Sequence, residues 1–77
     1  MFLCDMKIGD KAIVKKVEAN ENIKRRFLDI GLIEGTKVEC LLKSPLKDPI
    51  AYLIRGAIIA IRKDDCKDIE VDILWKK

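Results

Sequence analysis

The run NENIKRRFLDIGLIEGT at residues 20–36 constrains this chain more than any other stretch. Ile23, Phe27 and Ile30 recur at i, i+4 and i+7, the spacing of one helical face, and Leu28 widens the stripe. Asn22 stands where an N-cap oxygen can accept a free amide of the first turn. Gly31 occupies the position at which a helix ends on a residue of positive φ, and Leu32 follows as the apolar residue that folds back towards Phe27. Gly35 turns the chain once more before alternation begins. The reading is a short amphipathic helix with a hard stop that feeds a strand, the plug of a small β-rich domain.

Strand patterns flank this helix on both sides. Leu3 and Met6 point inward from a turn or short helix that Gly9 and Asp10 break. Ala12, Val14 and Val17 mark a first strand, in which Lys15 and Lys16 interrupt the alternation as a bulge would. From Thr36 to Lys43 the alternation puts Val38, Cys40 and Leu42 on one face; Lys37, Glu39, Leu41 and Lys43 share the other. SPLKDP at 44–49 is a stiff connecting loop with Leu46 at its tip, either a connector or a contact loop. IAYLIRGAIIAIR follows as two strands, 50–55 and 57–62, with Gly56 at the tight bend between them. Ile50, Tyr52 and Ile54 line one face of the first strand, and Ile59 and Ile61 line one face of the second. KDDCKDI supplies a helical turn with Cys66 inward. Ile69, Val71 and Ile73 then alternate with Glu70 and Asp72 as the last strand. Residues 74–77 form a tail whose Trp75 packs to close the barrel end, or else rests at a membrane surface or on a partner. The whole chain, 1–77, is one domain: a mainly β, five-stranded SH3-like barrel with a short helix between strands 1 and 2 and a helical turn before strand 5.

One feature of that scheme is unusual. The faces opposite the core positions of strands 3 and 4 carry Ala51, Leu53, Ile58 and Ala60, where a small barrel turns polar side chains to water. With Leu41 adjacent and Leu46 on the loop, these residues form a candidate surface for a second copy of the chain or for another protein.

Composition excludes more than it assigns. A domain of 77 residues holds one modest core of roughly 3–5 kcal/mol, too small to wrap a large ligand cavity. Sixteen basic and thirteen acidic residues are dispersed, so no dense basic stripe marks a nucleic-acid surface. Lys24, Arg25 and Arg26 with Lys15 and Lys16 read as a solvated face, and no nucleic-acid partner is expected. No apolar run approaches the ~20 residues that cross a bilayer, and MFLCDM is short for a leader and contains Asp5. Cys4, Cys40 and Cys66 are odd in number and widely spaced, which favours the reducing cytosol over a disulfide framework.

Catalytic chemistry is poorly served. With no histidine, the usual general base near neutral pH is missing, and Ser44 is the only serine. No phosphate loop of the G-x-x-x-x-G-K-[ST] form occurs. A zinc site would need the three cysteines to converge with a carboxylate. Asp64, Asp65 and Asp68 could hold a hard cation weakly but read as a solvated charged turn, and a ferrous site would prefer imidazole. A binding module without an enzymatic activity or a cofactor is the expectation.

The residues carry a family resemblance. Arg26-Phe27-Leu28-Asp29-Ile30-Gly31-Leu32, then Gly35-Thr36 and Val38, resembles the R-L-x-x-(L/M)-G-L-x-x-G-x-x-V signature of FeoA, the small protein of ferrous iron uptake. Ser44-Pro45-Leu46, Asp48-Pro49-Ile50, Gly56, Ile59, Ile61-Arg62 and Ile69-Glu70-Val71 look like that family's (S/A)-P-L-G-D-P-(I/L) hairpin and closing strands. The match runs in one register over roughly residues 3–73. It departs at Lys47, where the family usually has glycine, and at Glu34, where it usually has proline. The resemblance implies an SH3-like barrel in the cytosol, accessory to the FeoB membrane transporter. It also implies likeness to the C-terminal domain of DtxR-type metal-dependent regulators, from which a divalent transition metal label comes by kinship alone. Phe27, Gly31, Leu32, Gly35 and Gly56 are the structural positions of the signature.

Overall fold

The computed structural model describes residues 1–46 and 48–76. A single 3₁₀ turn (Leu3–Asp5) leads into β1 (Lys11–Val17), α1 (Glu21–Asp29), β2 (Lys37–Lys43), β3 (Ile50–Ile54), β4 (Ala57–Ile61), α2 (Lys63–Cys66) and β5 (Ile69–Trp75). The strands form one antiparallel sheet in the order β4-β3-β2-β1-β5. This is the expected SH3-like arrangement, with one difference. Among the described residues the hydrogen-bonded ladder does not close, so β4 and β5 remain as edges.

α1 ends as the signature requires. Gly31 has φ +85°, Leu32 N–H donates to the Phe27 carbonyl at 2.8 Å, and Gly31 N–H donates to that of Leu28 at 3.0 Å. These two bonds satisfy carbonyls that the helix end would otherwise orphan. They turn Leu32 into the core beside Phe27. Thr36 locks the exit: its hydroxyl donates to the Gly31 carbonyl at 2.9 Å and accepts from Ile33 N–H at 3.3 Å. The start differs from expectation. Asn20, two residues earlier than Asn22, is the cap, its Oδ1 accepting from Ile23 N–H at 3.0 Å.

The core gathers the inward faces of every strand: Ala12, Val14, Val38, Cys40, Tyr52 and Ile69 are all essentially inaccessible. Leu3 and Met6 close one end of it, and Tyr52 ties that end down. Its hydroxyl donates to the Leu3 carbonyl at 3.0 Å and lies 3.6 Å from Cys66 Sγ. The buried Asp10 accepts from Lys7 N–H through Oδ2 at 3.0 Å, and its carbonyl accepts from Cys40 N–H at 3.0 Å.

Two other expectations are corrected. Leu42 is outside, 55% exposed, because β2 carries a bulge between Cys40 and Leu42. The extra residue Leu41 is half-buried there and moves the remainder of the strand by one position. Leu74 and Trp75 belong to β5 and not to a tail; Trp75 pairs with Lys11, whose ammonium lies 5.8 Å from the centre of the indole. Lys77 lies outside the described residues, as does Lys47 of the loop. The bulge expected at Lys15–Lys16 is present, between Val14 and Lys16 against β5.

Candidate interaction surface

The outer side of β2, β3 and β4 is set by register. Leu53 pairs with Glu39 on one side and Ile58 on the other; Ala51 pairs with Leu42 and Ala60. Paired residues share a face. So Leu42, Ala51, Leu53, Ile58 and Ala60 form one contiguous apolar patch, and Ile58 is 70% exposed at its outer margin. The patch gives way to charge towards β1, where Lys11 pairs with Glu39 and Ile13 with Lys37.

Neither terminus covers this patch among the described residues. Phe2 forms a bridge with Glu70, and Val71 N–H donates to the Met1 carbonyl at 2.8 Å, so the N-terminal segment lies along β5. Trp75 lies in β5 beside Lys11, whose ammonium is over its ring, with β1 and β2 between it and β3. Of the residues singled out from sequence, Ala51, Leu53, Ile58 and Ala60 are brought together. Leu41 is the half-buried bulge residue. Leu46 stands on the loop, 89% exposed, with that loop pinned by Ser44 Oγ donating to the Asp48 carbonyl at 2.6 Å. Leu42 is the member that sequence reasoning misplaced.

The hairpin that presents the patch is tight. Arg55 and Gly56 both have positive φ, +50° and +83°, the pair of values that a type I′ turn requires. Arg55 lays its side chain across Gly31, where a methyl group would come within 2.5 Å of Arg55 Cδ. The turn is thereby braced against the end of α1.

Metal chemistry finds little purchase. Among the described residues no three of the cysteines and carboxylates group as a metal holder. Cys40 and Cys66 are buried, and burial pushes both thiols up, Cys66 to about 12, so neither offers a thiolate at neutral pH. With no histidine in the chain, the donors present do not fit a resident transition metal. Nor do the cations of α1 and β1 form a stripe: Lys16 pairs with Glu18 at 2.9 Å, and Glu21 and Asp29 lie on the same helix as Lys24, Arg25 and Arg26.

Among the described residues, no helix is long and apolar enough to cross a membrane.

Comparison with known proteins gives a consistent picture. A fusion of Fe(2+) transport protein A with the Fe(2+) transporter FeoB from Porphyromonas gingivalis is 30% identical over 74 residues. Those residues are 96% of this chain and only 9% of the fusion protein. The solution structure of FeoA from Chlorobium tepidum superposes with a TM-score of 0.92 at 37% identity, over 97% of this chain and 71% of that one. A manganese-dependent transcriptional repressor shares the fold alone, with a TM-score of 0.87 at 22% identity over 95% of this chain and 40% of its own. The sequence pattern of the FeoA domain matches residues 1–73, nearly the whole length, and the chain therefore belongs to the FeoA domain family, a family involved in ferrous iron transport.

Proposed function

We propose that this chain is a cytosolic accessory of a FeoB-type ferrous iron transporter, a docking module without catalytic activity or a bound cofactor. The observation that carries the reading is the uncovered apolar face of β2–β4, with Leu53 at its centre and Ile58 largely exposed. Contiguous apolar surface of this kind on a small domain marks a contact with another protein. The relative in which the corresponding domain is fused to a FeoB transporter supports that transporter as the partner, since fusion holds two partners at high effective concentration.

Docking changes transport only if the module prefers one state of the transporter over another, because a ligand shifts an equilibrium by its differential affinity alone. The test is capture of the full-length transporter, in detergent, by the parent chain and by Leu53→Lys. Burial of a leucine is worth about 1.5–3 kcal/mol, so the substitution is expected to weaken capture at least about tenfold. Equal capture by the two proteins removes the apolar face from the account. DNA binding is expected to be absent, with no salt-dependent retention on duplex DNA.

A further inference from the structure

The two edges of the sheet are treated differently. β5 is protected: Phe2 bridges Glu70, Met1 accepts from Val71 N–H, and Glu70 and Asp72 put charge along the strand. β4 has no such device. Its sequence, Ala57-Ile58-Ile59-Ala60-Ile61, holds no charge and no proline, its pairing with β3 has no bulge, and among the described residues no strand lies beyond it. An edge left this bare is a template for another strand.

The direction of the free groups is set by the hairpin. A two-residue turn joins Ile54 to Ala57, so that pair exchanges both of its backbone hydrogen bonds, and the pattern alternates from there. Ala57, Ile59 and Ile61 therefore face β3 with their N–H and C=O groups. Ile58 and Ala60 aim theirs outward. Beside this edge runs a groove of about 630 Å³, walled by Ile23 and Phe27 of α1, by Ile30 just beyond its end and by Ile59 and Ile61 of β4. A strand laid along the edge would drop alternate side chains into that groove and add the others to the apolar face at Ile58 and Ala60.

Arg26 and Arg62 line the groove together with Asp64 and Asp65, so its charges balance and its complement is an uncharged apolar strand. The relative in which the corresponding domain is fused to a FeoB transporter supports the transporter as the source of that strand.

We propose that an extended segment of the transporter's cytosolic part, apolar over about five residues, adds to β4 as a sixth strand. This rests on the transporter reading above and specifies how the contact is made.

Ala60→Pro tests it, because it deletes an outward N–H while leaving the bonds to β3 in place, and edge strands accept proline there. Full-length transporter in detergent is expected to bind Ala60→Pro at least tenfold more weakly than the parent. In the parent complex, the Ile58 and Ala60 amides are expected to exchange at least tenfold more slowly than in the free chain. Unchanged affinity of a folded Ala60→Pro overturns the proposal, as do unchanged exchange rates at those two amides. If Leu53→Lys loses the transporter while Ala60→Pro keeps it, the edge is refuted and the face survives; if both keep it, both readings fall. Should Ala60→Pro fail to fold, the exchange measurement on the parent decides alone. Protection of the two amides on raising the concentration of the free chain would make the occupant a second copy and overturn the choice of partner.

Discussion

Gly31→Ala separates two costs that usually arrive together. Any L-residue at φ +85° is strained, and the left-handed region costs a non-glycine residue about 1–2 kcal/mol. The added methyl also meets Arg55 Cδ at 2.5 Å and Nη1 at 3.2 Å, so the guanidinium arm must leave its seat. An exposed arm moves cheaply, and we assign that displacement about 0.5–1.5 kcal/mol, the cost of forcing a side chain off its rotamer. Gly35→Ala is the control: Gly35 has the same φ of +85°, yet an added methyl meets nothing within 4 Å. Urea unfolding followed by circular dichroism should place Gly31→Ala about 0.5–1.5 kcal/mol below Gly35→Ala, with the midpoint and not the slope changing. In an Arg55→Ala background the two alanine substitutions should cost the same. Equal costs with Arg55 present, or a difference that persists without it, would refute the contact between the helix stop and the hairpin.

The buried thiols and phenol predict an alkaline limit. Cys66 keeps its proton in the folded chain to about pH 12, and burial also raises Tyr52, whereas the unfolded chain releases both protons at their ordinary values. The unfolded state then binds fewer protons, so stability is full below about pH 9 and falls by about 1.4 kcal/mol per pH unit for Cys66 alone above it. Denaturation midpoints that stay level between about pH 9 and 11 would contradict the burial of these groups. At about pH 8 the half-buried Cys4 should be alkylated first, with Cys40 and Cys66 modified only on unfolding; rapid modification of three thiols in the native protein would contradict the same burial.

What could be read from the chain beforehand was what local chemistry decides. The α1 stripe, its glycine stop and the return of Leu32 depend on residues within one or two turns, and they stand as expected. The Val14–Lys16 bulge was visible because two lysines in a strand leave few alternatives. The misreadings share another cause. Leu41 and Leu42 are the same residue type, so nothing in the pattern says which of them the bulge carries outward; pairing with Ala51 decides it. Asn20 and Asn22 are equally able caps. The choice falls to Asn20 because β1 releases the chain at Val17 and Glu18 is held by the Asp68 carbonyl at 2.7 Å. Leu74 and Trp75 read as a tail until Lys11, far away in sequence, gives β5 a longer partner. Tyr52 reads as an ordinary core residue; its role in holding the Leu3 carbonyl spans 49 positions. The apolar outer face was legible from strand period alone. Its edge was not, because which strands end the sheet is a property of the ladder and not of any one strand.

The functional reading stands or falls on whether the β2–β4 side of the sheet meets the transporter. Amide chemical-shift mapping of the isotope-labelled chain, titrated with the unlabelled full-length transporter in detergent, answers that question. Changes are expected to concentrate at Leu42, Leu53, Ile58 and Ala60. Changes confined to the exposed side of α1 around Lys24 and Leu28, or no changes at all, would refute it.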